Sequence, residues 1–320
     1  MKIVNLDGCT TNPGDLSWEG IEKLGDYTVY DRTSPDKIIE RAKGANALIV
    51  NKTVITREIL EQLKPELEYI GLQSTGYNVV DCSAAKELGI VVSNIPSYST
   101  NAVAQLVFAF ILQITNQVSV HSESVKNGDW CKCPDFCYWV TPLTELSGKT
   151  IGIIGFGSIG RKVAEIAEAF NMNVLAYAPR PKDKGDLKTL EFVDIDTLLR
   201  NSDIITCHCP LTPETTGMIN AENISKMKNS AIFINTSRGP VVDEQALADA
   251  LNDGRIAAAG LDVLETEPAK ENNPLLTAKN CYITPHIAWA GKETRARLLS
   301  ILEDNLKAYI SGKPQNVVNK

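Results

Sequence analysis

The sequence predicts an α/β protein made of two doubly wound, parallel-sheet domains. Three observations carry that prediction. Short β-branched runs alternate with amphipathic segments nearly end to end, the rhythm of parallel strands joined by crossover helices. In mid-chain the apolar run Ile151 to Ile154 leads into Gly155-Phe156-Gly157-Ser158-Ile159-Gly160 and then a helical pattern. With 320 residues the chain is long enough for two separate cores.

In the first part the strands read Lys2–Leu6, Thr28–Tyr30, Ala47–Val50, Tyr69–Leu72 and Ile90–Val92. Helical patterns fill the gaps at Ser34–Lys43, Arg57–Leu63 and Asp81–Leu88, the last ended by Gly89. The texture then changes. No charged residue occurs between Glu87 and Glu123, and Asn101 to Ile114 is apolar on almost every face. That pattern predicts a helix buried between domains or between subunits. It does not predict a membrane span, because its longest unbroken apolar stretch, Leu106 to Leu112, falls far short of the ~20 residues that a bilayer requires. The chain first crosses between domains at Tyr98 to Asn101.

From Lys149 onward six strands follow: Thr150–Ile154, Asn173–Tyr177, Ile204–Cys207, Ala231–Ile234, Ala257–Leu261 and Tyr282–Thr284. This rhythm fits a Rossmann-like sheet. The closing segment Lys292 to Ile310, ended by Gly312, comes too late to extend that sheet and returns to the first domain. The first domain is therefore discontinuous and flavodoxin-like, residues 1–98 with 289–320, around a dinucleotide-binding domain at 99–288.

Bulk properties narrow the function. A net charge of −7 and a pI near 5.2 argue against nucleic acid, which selects a basic face. Lys and Arg are dispersed, so no polybasic membrane anchor stands out. The first residues read as a strand and not as an export signal, which makes the cytosol the expected location. No metal is expected. Cys131, Cys133 and Cys137 lack a nearby fourth ligand, and in a strand Cys207 and Cys209 point to one face while His208 points to the other. Reduced, partly buried thiols are expected instead.

The glycine segment reads as a dinucleotide cradle. Gly155 permits the tight turn, Gly157 lets the backbone approach a pyrophosphate, and Gly160 allows close helix–strand packing. The helix beginning at Ser158 and Ile159 offers N–H groups to the phosphates. At the end of the second strand the sequence reads Ala176-Tyr177-Ala178-Pro179-Arg180-Pro181-Lys182. The acid that would accept hydrogen bonds from an adenosine ribose is missing at Ala178, and two cations follow. NAD and NADP both remain open, with the charge favouring NADP through Arg180 or leaving that arginine in solvent.

Three isolated functional groups lie downstream: Arg238 in Thr-Ser-Arg-Gly-Pro, Glu267 in Glu-Thr-Glu-Pro, and His286 in Thr-Pro-His-Ile-Ala. A dinucleotide site followed by an anion binder, a carboxylate and an imidazole equips a chain for hydride transfer to a carbonyl acid. The chain has three histidines. His121 begins an exposed helix and His208 sits in a strand, so His286 is the imidazole candidate.

With these residues in view, the chain resembles the D-2-hydroxyacid dehydrogenases over essentially its whole length. The resemblance is carried by Cys209-Pro210-Leu211-Thr212, Asn235-Thr236-Ser237-Arg238-Gly239, Gly260-Leu261-Asp262-Val263 and Thr284-Pro285-His286. Ser74 to Asp81 and Asp135 to Trp139 resemble the glycerate dehydrogenase, or hydroxypyruvate reductase, branch. The resemblance implies catalytic roles for Arg238, Glu267 and His286. Arg238 would bind the substrate carboxylate, His286 would exchange the proton, and Glu267 would hold the charged imidazole. It implies substrate contacts from Thr75, Gly76 and Tyr77, the last two through backbone N–H groups. Cys209, Pro210, Thr236, Ser237 and Ala288 would lie along the cofactor, with Asp262 at its nicotinamide end.

The implied reaction is reduction of a small 2-keto acid, hydroxypyruvate or glyoxylate first, by NAD(P)H. Pyruvate or a branched 2-keto acid is the nearest alternative. A dinucleotide-sensing, corepressor-like binding protein is the alternative from another class. The resemblance also implies a homodimer, for which the uncharged helix from Asn101 offers a surface. Trp289, and Trp139 from a partner subunit, are candidates for shaping the substrate pocket or for packing at the dimer interface.

Overall fold

A computed structural model describes residues 1–181 and 183–320. The chain divides into two compact units, residues 1–99 with 289–320, and residues 100–288.

In the first unit the order is β1 (Lys2–Asn5), α1 (Glu19–Glu22), β2 (Asp26–Val29), α2 (Ile38–Ala42), β3 (Ala47–Val50), α3 (Arg57–Leu63), β4 (Tyr69–Leu72), α4 (Cys82–Glu87) and β5 (Val91–Ser93). All strands are parallel in the order β2-β1-β3-β4-β5. This is the flavodoxin-like arrangement, with its switch point between β1 and β3. β3 and β4 are buried at every position, as a sheet covered on both faces requires. Asp81 caps α4 by accepting the Ala84 N–H, and Gly89 leaves the helix with φ +71°.

The second unit runs α5 (Thr100–Asn116), α6 (Val118–Lys126), α7 (Asp129–Lys132), β6 (Thr150–Ile154), α8 (Ser158–Ala169), β7 (Asn173–Tyr177), β8 (Leu190–Phe192), α9 (Ile195–Asn201), β9 (Ile204–Cys207), α10 (Ala221–Lys226), β10 (Ile232–Asn235), α11 (Glu244–Asn252), β11 (Ala258–Leu261) and β12 (Cys281–Ile283). Its sheet is also parallel throughout, ordered β12-β11-β10-β9-β6-β7-β8. The switch point lies between β6 and β9. The final helix, α12 (Lys292–Ile310), returns to the first unit, where Leu298, Leu302 and Leu306 bury against the β4 side of its core.

One expectation is corrected. The second sheet has seven strands and not six, because β8 is a three-residue edge strand too short to show a pattern. Within the single chain the helix from Asn101 buries one face and leaves the other at the surface. α5 packs within its own unit on α8, β10 and β11, burying Val103, Val107, Phe110 and Ile111, while Asn101, Gln105, Ala109 and Leu112 stay exposed. Four such side chains contribute on the order of 10 kcal/mol of apolar burial, ample to fix the helix on the sheet. Gly260 on β11 leaves the room that Phe110 takes, since a Cβ there would stand 2.7 Å from the Phe110 ring. Among the described residues no single helix is long and apolar enough to cross a membrane.

Candidate active site

The glycine cradle sits at the switch point of the second unit. β6 runs straight into Gly155, whose φ of +95° and lack of a side chain both matter: a Cβ would lie 2.6 Å from the Cys209 nitrogen. The loops after β6 and β9 therefore meet at this glycine. Gly160 lets α8 begin against the turn, because a Cβ there would lie 2.4 Å from the Gly155 oxygen. At Gly157 the space is open, with no atom of the described residues within 4 Å of a Cβ. The first N–H groups of α8, from Ser158, Ile159 and Gly160, have no intrahelical acceptor. On the loop after β10 the Thr236 hydroxyl is buried without a hydrogen-bond partner among the described residues. An open glycine turn, a twelve-residue helix aimed from its N-terminus and an orphaned hydroxyl fit a dinucleotide.

At the adenosine end, β7 stops at Tyr177 and the next residue, Ala178, is half-buried against the core. Arg180 is exposed. Lys182, the second cation expected there, lies outside the described residues. Arg161 from α8 is already engaged: its guanidinium lies 5.3 Å from the Phe156 ring and donates to the carbonyls of Asp183 and Lys184.

The catalytic candidates come from the loops after the neighbouring strands β10, β11 and β12. Asn235 shapes the first loop. Its Oδ1 accepts the Ser237 N–H at 3.0 Å and the Ser237 hydroxyl at 2.8 Å, and its Nδ2 donates to the Arg238 carbonyl at 3.0 Å. Arg238 is exposed and spends one Nη1 donor on the Ser237 carbonyl at 2.7 Å. The following Gly239 packs directly on the Leu264–Glu265 backbone, so the turn carrying Arg238 rests on the loop carrying Glu267.

Glu267 Oε2 meets His286 Nδ1 at 2.7 Å, and its Oε1 accepts the Leu264 N–H at 3.3 Å. That contact commits Nδ1 and leaves Nε2 as the imidazole nitrogen without a partner among the described residues. His286 holds a φ of +54°, and its N–H donates to the carbonyls of Asp262 at 2.8 Å and Thr284 at 3.0 Å. The Asp262 carboxylate clamps the same loop, accepting the Thr284 hydroxyl at 2.6 Å, the Ile287 N–H at 2.8 Å and the Ala288 N–H at 2.9 Å. Burial pushes the Asp262 carboxyl above its usual range, although those donors and the nearby His286 charge pull the other way.

The other histidines are structural. His208 lies just past the end of β9, not within the strand. Its Nε2 bonds the Thr206 hydroxyl, and burial pulls it down to about 3, so the ring stays neutral. His121 sits inside α6, not at its start, with Nδ1 on the Gln117 carbonyl and Nε2 accepting the Val140 N–H. The thiols also differ from expectation, since Cys131 and Cys137 are exposed, while Cys207 and Cys209 are buried. All eight cysteines are free, and among the described residues no cluster of His, Cys, Asp or Glu fits a metal ion. Pro210 is exposed beside buried Cys209.

In the first unit the loop after β4 is held by side chains. Thr75 Oγ1 donates to the Ile95 carbonyl, Asn94 Nδ2 to the Thr75 carbonyl, and Ser74 Oγ to the Gly76 carbonyl. The Tyr77 side chain is exposed. Trp289 packs on the first unit's core, whereas Trp139 in the second unit is 66% exposed. Asn235 stands in the sequence only as part of a family motif, and its role in shaping the Arg238 loop has one local signal, a polar residue ending a buried strand directly before Thr-Ser-Arg.

A parallel sheet with a glycine cradle at its switch point, and an imidazole–carboxylate pair next to an arginine turn, defines a dinucleotide-dependent oxidoreductase. A sequence model of the D-isomer specific 2-hydroxyacid dehydrogenase NAD-binding domain matches residues 108–288. The chain is 51% identical over 323 residues to a hydroxypyruvate reductase of Blautia hydrogenotrophica, covering 100% of both chains. It is 45% identical over 296 residues to a glycerate dehydrogenase of Methylorubrum extorquens, covering 92% of each. Among solved structures, an acyclic imino acid reductase in complex with NADPH and D-Arg superposes with a TM-score of 0.85 at 35% identity, covering 99% of this chain and 100% of that one. The chain belongs to the D-isomer-specific 2-hydroxyacid dehydrogenase family.

Proposed function

We propose that the chain reduces hydroxypyruvate and glyoxylate to the corresponding D-2-hydroxy acid or its achiral counterpart, and runs the reverse oxidation. The observation that carries this reading is the 2.7 Å contact between Glu267 and His286 Nδ1, which leaves Nε2 without a partner among the described residues, while the Arg238 turn packs on the loop that carries Glu267. A bound nicotinamide cofactor supplies the hydride. The chain's own residues do the rest. Arg238 binds the substrate carboxylate as a planar fork. His286 Nε2 gives its proton to the carbonyl oxygen as that oxygen becomes a hydroxyl, and takes one back in oxidation. Glu267 holds the ring in register and offsets its positive charge. Asp262 holds the 284–288 loop, and the Gly76 and Tyr77 N–H groups take the carboxylate. The names of the two curated relatives support hydroxypyruvate over pyruvate or a branched acid.

For the cofactor, the absence of a carboxylate at Ala178 together with exposed Arg180 supports NADPH over NADH. For assembly, a homodimer is supported by exposed apolar side chains on the segment after α5: Val118 at 69%, Phe136 at 88% and Trp139 at 66%. The test is steady-state reduction of hydroxypyruvate, glyoxylate and pyruvate with NADH and NADPH separately, alongside light scattering. Hydroxypyruvate turnover is the expected result. No turnover with any acid and either cofactor overturns the reading, and a monomer overturns the homodimer.

A further inference from the structure

Asp7, at the end of β1, is buried, and its carboxylate is turned onto the loop after β3. Oδ1 accepts the Asn51 N–H at 2.8 Å, and Oδ2 accepts the N–H of Lys52 at 2.6 Å and of Thr53 at 2.8 Å, with the Thr53 hydroxyl at 3.0 Å. Three consecutive N–H groups converging on one carboxylate form an anion nest that is filled from within the chain. The Asn51 side chain is tied as well, donating to Thr10 Oγ1 at 2.9 Å. Asn51 and Thr53 are buried on either side of Lys52. The backbone of Lys52 is therefore fixed, while its side chain is exposed and its ammonium makes no ion pair among the described residues.

The position matters because β3 pairs with β4, with Val50 opposite Leu72. The loop carrying Lys52 and the loop carrying Gly76 and Tyr77 are neighbours on the C-terminal edge of one parallel sheet, where doubly wound domains collect ligands. In the loops that follow β3, β4 and β5 (residues 51–54, 73–80 and 94–99), Lys52 is the only charged side chain. These three loops offer neutral N–H donors and one cation, Lys52, which makes no ion pair among the described residues.

We propose that Lys52 is a substrate-binding residue that holds the carboxylate of the 2-keto acid at this edge. The assignment rests on the proposed reductase function. The carboxylate keeps its charge from substrate to product, so a cation on it stabilises ground state and transition state alike. Such uniform binding appears in KM and leaves kcat nearly untouched. An exposed ammonium–carboxylate pair is also screened by salt, which gives it a second signature.

The test uses the full chain and its Lys52→Met and Lys52→Arg variants, assayed with hydroxypyruvate and glyoxylate at low and high ionic strength, with melting temperatures alongside. Lys52→Met is expected to raise KM for both acids on the order of tenfold. Its kcat should stay within about twofold and its melting temperature should match wild type, as for an exposed residue with uniform binding. Lys52→Arg should recover most of the loss, and the rise of KM with salt should flatten in Lys52→Met. An unchanged KM in Lys52→Met overturns the assignment, and so does a loss confined to kcat or a fall in melting temperature shared by both variants. A wild-type chain that turns over neither acid overturns the proposed function, and this assignment with it.

Discussion

Gly239 lies against the Leu264 peptide so closely that a Cβ at this glycine would stand 1.9 Å from the Leu264 carbonyl carbon. No side-chain rotation relieves a clash with backbone, so the Arg238 turn and the Glu267 loop keep their spacing only while residue 239 is glycine. Gly239→Ala should push the two loops apart. A misplacement of ~1 Å at a reacting group costs about 100-fold in rate, and overpacking costs roughly 1–3 kcal/mol of stability. Turnover and thermal unfolding of the variant check both. Wild-type kcat in Gly239→Ala would show that the spacing is irrelevant to the chemistry.

The Glu267–His286 contact makes the carboxylate a positioning group. Glu267 Oε2 holds His286 Nδ1 at 2.7 Å and so fixes which ring nitrogen is left for proton exchange. Glu267→Gln keeps the size of the side chain and removes its charge, and should lower kcat in both directions on the order of 100-fold. Steady-state rates of reduction and oxidation measure it, and a wild-type kcat in the variant would break the coupling.

Ala178→Asp should change cofactor preference. A carboxylate at the tip of β7 repels a 2′-phosphate and accepts hydrogen bonds from a free ribose. The ratio of kcat/KM for NADH to that for NADPH should rise at least about tenfold. The same ratio in wild type and variant would remove Ala178 from the account of specificity.

Stability in acid should depend on Asp203, at the N-terminal edge of the second sheet. Burial alone would raise this carboxyl, but the Lys228 ion pair at 2.8 Å and the Thr150 N–H at 2.9 Å outweigh burial and hold it below its usual range. A group lowered in the folded state contributes stability above the ordinary carboxylate range and loses it as pH falls through the lowered value. Asp203→Asn should therefore melt below wild type near neutrality, with the gap closing as pH approaches 3. Melting curves between those limits decide it, and a constant gap would point to packing instead of charge.

Most of the framework is legible because its signals are local. Ala47–Val50, Tyr69–Leu72 and Asn173–Tyr177 are apolar runs bounded by turn formers, and each forms a strand over those residues. β8 escapes because Leu190-Glu191-Phe192 buries only its leucine on a sheet edge. The partial exposure of α5 escapes for a different reason. Hydrophobicity reports which residues tolerate burial, and in α5 the open stripe includes Ala109 and Leu112, which composition cannot tell from the buried face. The Glu267–His286 pair spans 19 residues of sequence, and an acid before proline carries no signal of its own. Only the resemblance points to it. Asp7 is harder still, because three of the four donors to its carboxylate are backbone N–H groups without identity, 44 to 46 residues away.

The filled nest beneath Lys52 bears on stoichiometry. Both sheets are doubly wound, and each has a switch point of the kind at which such domains bind phosphates. In the first unit the chain's own Asp7 carboxylate already neutralises the N–H groups at that crevice, so an incoming phosphate meets a negative charge where it needs donors. In the second unit the donors at Ser158, Ile159 and Gly160 are left open. One polypeptide with two similar halves thus takes up one nucleotide, and a calorimetric titration should saturate at a single equivalent per chain.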